Sequence, residues 1–308
     1  MKTTIPFNKL LIIGLGLIGG SLARALSKYT AGCEIIAYDL DSERLKLAQK
    51  QGYVHRITTR LAETIPEADL VVWALPVQAI CSGLAEYAAY FVKDQIVTDV
   101  GSVKRIIAEA AAVLPAGTIF IGGHPMAGKE ASGLEKSDPN LFAGKPWVLV
   151  QDDDRNQAAV EKLAQVITAI RARPVQMSAA EHDRTVAVLS HLPQLVSSCL
   201  MSTVGEQVED LPTGYLLAGR GLVDTTRIAG SNPKMWQDIL LANHDQLLQL
   251  LDLVTARLQD MRNALAARDP EAIVKQLQLA QAKKQLMLAG SFLGTASLAL
   301  HKIKQAPN

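Results

Sequence analysis

The chain has 308 residues, with 31 Lys and Arg against 30 Asp and Glu, and a formal charge of +1 at pH 7. That balance excludes the strongly basic surface of a dedicated nucleic-acid binder, and 49% apolar residues exclude a mostly disordered chain. This length exceeds what one core usually organises, so two domains are expected, and with 5% aromatics their cores must be built from Leu, Ile, Val and Ala.

Cys33, Cys81 and Cys199 lie far apart and form no CxxC, so neither a disulfide framework nor a metal site is expected. The apolar run at 10–13 is too short for a membrane span and carries no cleavage pattern. A soluble, cytoplasmic protein with no membrane or nucleic-acid partner is the expectation.

Residues 9–13 read as a strand, 19–28 as a helix, 34–38 as a second strand and 42–51 as a second helix. Apolar runs at 70–75, 96–100, 119–122 and 147–150 follow and 173–177 reads as a last strand, with helical stretches at 77–91, 104–114 and 157–172 between them. Continuous apolar strands separated by helices imply strands buried on both faces, hence an α/β fold with a doubly wound, mostly parallel sheet. Beyond residue 178 strand-like runs nearly vanish. Leu/Ala/Gln-rich segments at 181–202, 235–267 and 270–288 predict an all-helical second domain over 178–308, after a first domain over 1–177 that holds the doubly wound sheet. Leu247 to Val254 is apolar on more than one helical face, which points to a subunit interface and a homodimer rather than an ordinary monomeric core.

Gly14-Leu15-Gly16-Leu17-Ile18-Gly19 follows the first strand and opens the first helix. Gly14 suits the tight turn, Gly16 lets backbone approach a pyrophosphate, and Gly19 lets helix and strand pack closely, while the helix N-terminus at Leu17 and Ile18 offers free N–H groups. Asp39 ends the second strand about 20 residues beyond the third glycine, where a ribose-binding carboxylate belongs. Leu40, Asp41 and Ser42 follow it with no immediate Arg, which predicts NAD over NADP, although Asp41 competes for the same role.

Ligands of such a sheet bind beyond the carboxyl ends of its strands. Three loops lie there: 74–77 with Pro76, 99–104 with Ser102, and 122–128 with His124. An imidazole with an ordinary pKa near 6.5 accepts a proton at neutral pH, so His124 is the candidate base. Ser102 would hold that imidazole or a substrate hydroxyl. The plainer alternatives are a structural histidine before proline and a helix-capping serine. In the helical half, His191 in an apolar helix suits a satisfied core group, and His182 a solvated or capping residue. Arg227 offers a guanidinium for a carboxylate or pairs with Asp224, and Trp236 walls a pocket or simply packs. No GxSxG elbow supports Ser/His/Asp hydrolysis.

The segments 14–19, 99–104, 122–128 (GGHPMAG), 190–193 (SHLP) and 224–236 (DTTRIAGSNPKMW) occur in this order. Together they resemble the prephenate/arogenate dehydrogenase family of tyrosine biosynthesis, from about residue 8 to about residue 290. The resemblance implies a Rossmann domain, a helical domain that dimerises, and NAD-dependent oxidative decarboxylation of prephenate to 4-hydroxyphenylpyruvate. It implies that His124 takes the proton of the 4-hydroxyl, Ser102 orients that hydroxyl beside the cofactor, and His191 positions substrate. Arg227 would bind a substrate carboxylate, with Gln194 and Trp236 lining the pocket. Some prephenate-using members carry a basic residue where this chain has Gln194 or Val223, so arogenate, or both substrates, is the alternative. The length leaves no room for a fused mutase or a regulatory ACT domain, so regulation by a separate domain is not expected. A β-hydroxyacid dehydrogenase would instead want a catalytic Lys in the helical half, and a non-catalytic NAD sensor need not keep His124 and Arg227.

Overall fold

The computed structural model describes residues 2–129, 132–151, 156–211 and 213–303, with side chains described as far as residue 289. Eight strands form one sheet: β1 (Lys9–Ile13), β2 (Glu34–Tyr38), β3 (Arg56–Thr58), β4 (Leu70–Trp73), β5 (Ile96–Asp99), β6 (Ile119–Pro125), β7 (Pro146–Val150) and β8 (Arg173–Met177). Their order is β3-β2-β1-β4-β5-β6-β7-β8, and the first six follow the doubly wound pattern with its reversal at β1. All neighbours run parallel except β6 and β7. The connection between those two contains, among its described residues, only a short 3-10 turn at Leu134–Lys136. Without a crossover helix the chain returns antiparallel.

Side-chain alternation along the strands divides the core. Leu10 and Ile12 of β1 pack on one face with Leu22 and Leu26 of α1 (Leu17–Tyr29), Leu45 of α2 (Ser42–Lys50) and Leu163 of α6 (Gln157–Ala169). Leu11 and Ile13 pack on the other with Leu61 of α3 (Leu61–Thr64), Ile80 and Leu84 of α4 (Val77–Glu86) and Ile107 of α5 (Arg105–Ala111). A period of two in a fully apolar strand therefore requires helices on both sides. Burying each such Leu or Ile contributes about 1.5–3 kcal/mol.

The helical half begins with α7 (Ala179–Val186), one π-helical turn at Ala187–His191 and α8 (Leu192–Val208). Then come α9 (Arg220–Thr226), α10 (Pro233–Ala242), α11 (His244–Ala267) and α12 (Pro270–Ile303). The helix expected over 235–267 is thus broken at Asn243, between α10 and α11.

The contacts divide the chain into two compact units, one reaching Leu247 and one starting at Leu248. The change of texture at 178 marks a change of element type, while the sheet's unit runs on through α10 because buried polar ties hold α7 and α10 to the sheet. The stretch Ala179–Val208 is long and apolar enough to cross a membrane, yet its His182, Asp183 and His191 are buried and bonded inside the first unit. In the second unit Asp269 caps α12 by accepting from Glu271 N (3.0 Å) and Ala272 N (2.9 Å). Leu253, Leu258, Leu265, Leu277 and Leu286 there are exposed.

Candidate active site

The glycine turn sits where the strand order reverses. Gly14 has a φ of +98° and donates to Tyr38 O (2.8 Å), and a Cβ there would strike the Ala74 carbonyl. A Cβ on Gly19 would run into the carbonyl oxygen of Gly14, so the pair of glycines sets the close approach of turn and helix. Gly16 differs, since a Cβ on it would meet nothing within 4 Å. It borders open space at the start of α1, whose N-terminus has no side-chain cap. Free N–H groups and the positive end of a 13-residue helix face that space, an arrangement that fits a pyrophosphate.

Asp39 is nearly buried, its side chain 8% exposed. Its Oδ2 accepts from Leu15 N (2.7 Å) and its Oδ1 from Asp41 N (2.9 Å). Arg44 Nη1 donates to both oxygens at 3.1 Å. Asp41 is the N-cap of α2, accepting from Glu43 N and Arg44 N, so it is committed to the helix and does not compete for a ribose. Arg44 lies beyond the three residues that follow Asp39 in sequence, and the first turn of α2 carries it back over the carboxylate. Asp39→Ser alone is therefore expected to raise the NADP/NAD ratio of kcat/KM by roughly tenfold or more, because it removes the repelling charge and frees a cation already in place. An unchanged ratio would show that another residue sets the preference.

A cavity of about 430 Å³ opens beside this turn, lined by Gly16, Leu17, Ile18, Pro76, Ser102 and His124 among others. Met235 and Ile239 of α10 also line it. Six of the residues singled out from the sequence thus line one cavity. Gly14, Gly19 and Asp39 shape the turn behind it. His124 lies within β6 rather than in a loop after it, so its position is set by the antiparallel ladder, opposite Val148.

The polar partners of His124 come from the helical half. His124 Nδ1 lies 2.8 Å from His182 Nε2, and His182 Nδ1 lies 2.7 Å from Asp183 Oδ1. Asp183 also accepts from Lys104 N (2.7 Å) and Arg105 N (2.9 Å), the first N–H groups of α5. Burial alone would raise the Asp183 pKa, but the bonds from His182, Arg105 and Lys104 hold it below the usual carboxylate value. An ionised carboxylate only accepts, so His182 Nδ1 carries the hydrogen. Where His182 Nε2 accepts, His124 Nδ1 donates, and the lone pair of His124 falls on Nε2. Burial, then His182, Lys104 and His191, lower the His124 pKa well below 6.5.

His182 is therefore buried and bonded, not solvated as the sequence suggested. A signal was present: Ala179, His182, Asp183, Val186 and Ala187 are all buried at helical spacing, so a polar pair lies in phase with an apolar face.

A second buried group surrounds His191. Asn243 Nδ2 lies 3.2 Å from His191 Nδ1 and donates to Asp183 O (2.9 Å). Burial pulls the His191 pKa to about 4, Asp183 opposing and His182 adding to the shift, so this ring is neutral at pH 7. Trp236 meets it edge-on at 5.8 Å between centroids. Trp236 Nε1 and Gln194 Oε1 are buried without a hydrogen-bond partner in the structure. Such atoms cost about 1–3 kcal/mol unless a ligand or water supplies the bond. His191, Gln194, Trp236 and the exposed Arg227 are not among the residues lining the 430 Å³ cavity.

Comparison with known proteins gives this arrangement a family. The nucleotide-binding domain profile of prephenate dehydrogenase matches residues 22–176, and its dimerization domain profile matches residues 178–279. The chain belongs to the prephenate dehydrogenase family. It is 34% identical over 283 residues to prephenate dehydrogenase of Bacillus subtilis (strain 168), spanning 91% of this chain and 75% of that one. It is 32% identical to cyclohexadienyl dehydrogenase of Zymomonas mobilis, spanning 89% of this chain and 94% of the relative. The solved structure of Aquifex aeolicus prephenate dehydrogenase in complex with hydroxyphenyl propionate and NAD+ superposes with a TM-score of 0.82 at 28% identity. That match covers 91% of this chain and 98% of the other.

Proposed function

We propose that this chain catalyses the NAD-dependent oxidative decarboxylation of prephenate to 4-hydroxyphenylpyruvate, a step of tyrosine biosynthesis. The observation that carries the reading is His124, with its far nitrogen tied to His182 and its near face in the same cavity as Gly16 and Ser102. The open Gly16 position, the uncapped α1 and Asp39 at the end of β2 would hold NAD, which when bound accepts the hydride from ring C4. His124 Nε2 accepts the proton of the 4-hydroxyl as the carbonyl forms, and Ser102 keeps that hydroxyl aligned. The charge gained by His124 is offset through His182 by Asp183, and the ring carboxylate leaves as CO₂ when the ring becomes aromatic. His191 serves as a neutral positioning group.

Arg227, Gln194 and Trp236 hold the substrate in this reading. Arg227→Ala is expected to raise the substrate KM roughly tenfold or more with a smaller change in kcat, measured by steady-state kinetics at saturating NAD. A change confined to the cofactor's KM would remove Arg227 from the substrate site. Arogenate is a second reading, favoured by one observation. The unpartnered Gln194 Oε1 is an acceptor, which suits the side-chain ammonium of arogenate. The Zymomonas relative's description as a cyclohexadienyl dehydrogenase supports breadth of the same kind. Measuring kcat/KM for prephenate and arogenate with NAD and NADP tests both readings, and turnover of neither substrate would sink them.

The dimerization domain match and the exposed leucines of α11 and α12 support a homodimer in which residues 178–308 form the substrate and dimerisation half. The soluble biosynthetic chemistry supports a cytoplasmic site of action.

A further inference from the structure

Directly behind the cavity lies an ion pair with no access to solvent. Asp99 ends β5 and Lys104 precedes α5, with side chains 0% and 1% exposed. The Lys104 ammonium donates to Asp99 Oδ2 and to Gly123 O (2.7 Å). Asp99 Oδ2 also accepts from Gly101 N (2.7 Å), and Oδ1 accepts from Gly123 N (3.0 Å).

These bonds fall where the sheet needs them. The parallel pairing of β5 with β6 ends at Thr98 and Ile121, and β6 goes on alone with β7. From there the Asp99 carboxylate and the Lys104 ammonium take up the N–H and C=O of Gly123. Gly123 precedes His124 and Gly101 precedes Ser102, so one buried pair ties together the neighbours of both groups assigned to the substrate hydroxyl. Three glycines make room for it. A Cβ on Gly101 would crowd Asp99 Oδ2, one on Gly122 would crowd Lys104 Cδ, and one on Gly123 would strike the Asp99 carbonyl. The backbone N–H of Lys104 also holds Asp183, the carboxylate that fixes His182.

We propose that the Asp99–Lys104 pair is a positioning device for catalysis, which sets the distance between Ser102 and His124 by tying Gly101 and Gly123 to one buried ion pair. The groups around His124 are His182 and, through it, Asp183 from α7, His191 from the π turn, Lys104 itself, and Lys129, which lines the same cavity. Lys104 is among the causes that lower the His124 pKa. The proposal rests on His124 being the base.

The test compares Lys104→Met, the doubly neutral Asp99→Asn/Lys104→Met and His124→Asn, each assayed as full-length protein with NAD and prephenate. Lys104→Met is expected to lower kcat roughly tenfold or more, with the KM for NAD changed less than about threefold. Losing the ammonium is also expected to move the acid limb of kcat/KM upward by at least about half a pH unit. The double variant removes both charges at similar volume, so it guards against a loss that comes only from an unpaired buried carboxylate. It is expected to melt within about 5 °C of the parent while keeping the lower kcat. A folded double variant with parental kcat overturns the proposal, as does a Lys104→Met loss that merely tracks its folded fraction. If His124→Asn keeps the acid limb, the reading of His124 as base fails; if His124→Asn abolishes the limb but the folded double variant keeps parental kcat, only the role of the pair fails.

Discussion

His124→Asn is expected to lower kcat/KM for prephenate by at least roughly a hundredfold while leaving NAD binding within about threefold of the parent. Asn keeps a polar group of similar reach in β6 and takes away the basic nitrogen. The cavity wall, the glycine turn and Asp39 are untouched, so cofactor affinity separates a lost base from a lost fold. The pH dependence carries a sign of its own. His124 must be neutral to accept a proton, and its pKa is pushed below 6.5 first by burial and then by His182, Lys104 and His191. The acid limb of kcat/KM should therefore lie below pH 6.5, with activity falling as pH drops through the lowered value. In His124→Asn that limb should disappear. Parental turnover in the variant, or a limb at or above pH 6.5 in the parent, would exclude His124 as the base.

Asp183→Asn is expected to cost roughly 10²- to 10³-fold in kcat, by analogy with triads in which an amide replaces the carboxylate that fixes a histidine tautomer. The parent carboxylate accepts three hydrogens, from His182, Lys104 N and Arg105 N. An amide accepts on one side only. If its NH₂ faces His182, that ring turns to its other tautomer, donates to His124 Nδ1, and leaves a hydrogen on His124 Nε2, where the lone pair is needed. That orientation also sets the NH₂ against Lys104 N–H, because Oδ1 serves both His182 and Lys104; if the NH₂ takes the place of Oδ2 instead, it meets only Arg105 N–H, His182 keeps its acceptor, and the loss appears as a lower melting temperature with little change in kcat. Kinetics and thermal melting together separate these outcomes. A stable variant with kcat within about threefold of the parent would show that the tautomer of His182 does not matter.

Much of the first half was legible because local rules decide it. Apolar runs at 9–13, 34–38, 70–75 and 96–100 became β1, β2, β4 and β5, since an uninterrupted Val/Ile run is stable only between two helical layers. Gly14, Gly16 and Gly19 announced the turn because each position forbids or leaves open the space of a Cβ. β3 escaped notice, as three half-buried residues, Arg56, Ile57 and Thr58, carry no pattern.

The site was legible only in part. His124, Ser102 and Pro76 stood out because they lie at or just beyond the carboxyl ends of strands of a doubly wound sheet, and they line the cavity. His182, Asp183, Asn243, Arg44 and the role of Lys104 did not stand out. His182 and His124 are 58 residues apart, and Asn243 lies 52 residues from His191. No local rule links such positions.

From the sequence alone came the doubly wound sheet, the glycine turn with its carboxylate, the helical second half and the family resemblance. These follow from side-chain periodicity, backbone sterics and motif order, which act over a few residues at a time. The tertiary structure decided which nitrogen of His124 is bonded to His182, that Arg44 covers Asp39, and that a buried ion pair ties the segments next to Ser102 and His124. Hydrogen-bond direction and burial depend on what distant segments bring to the same few ångströms, and only the folded chain assembles those neighbours.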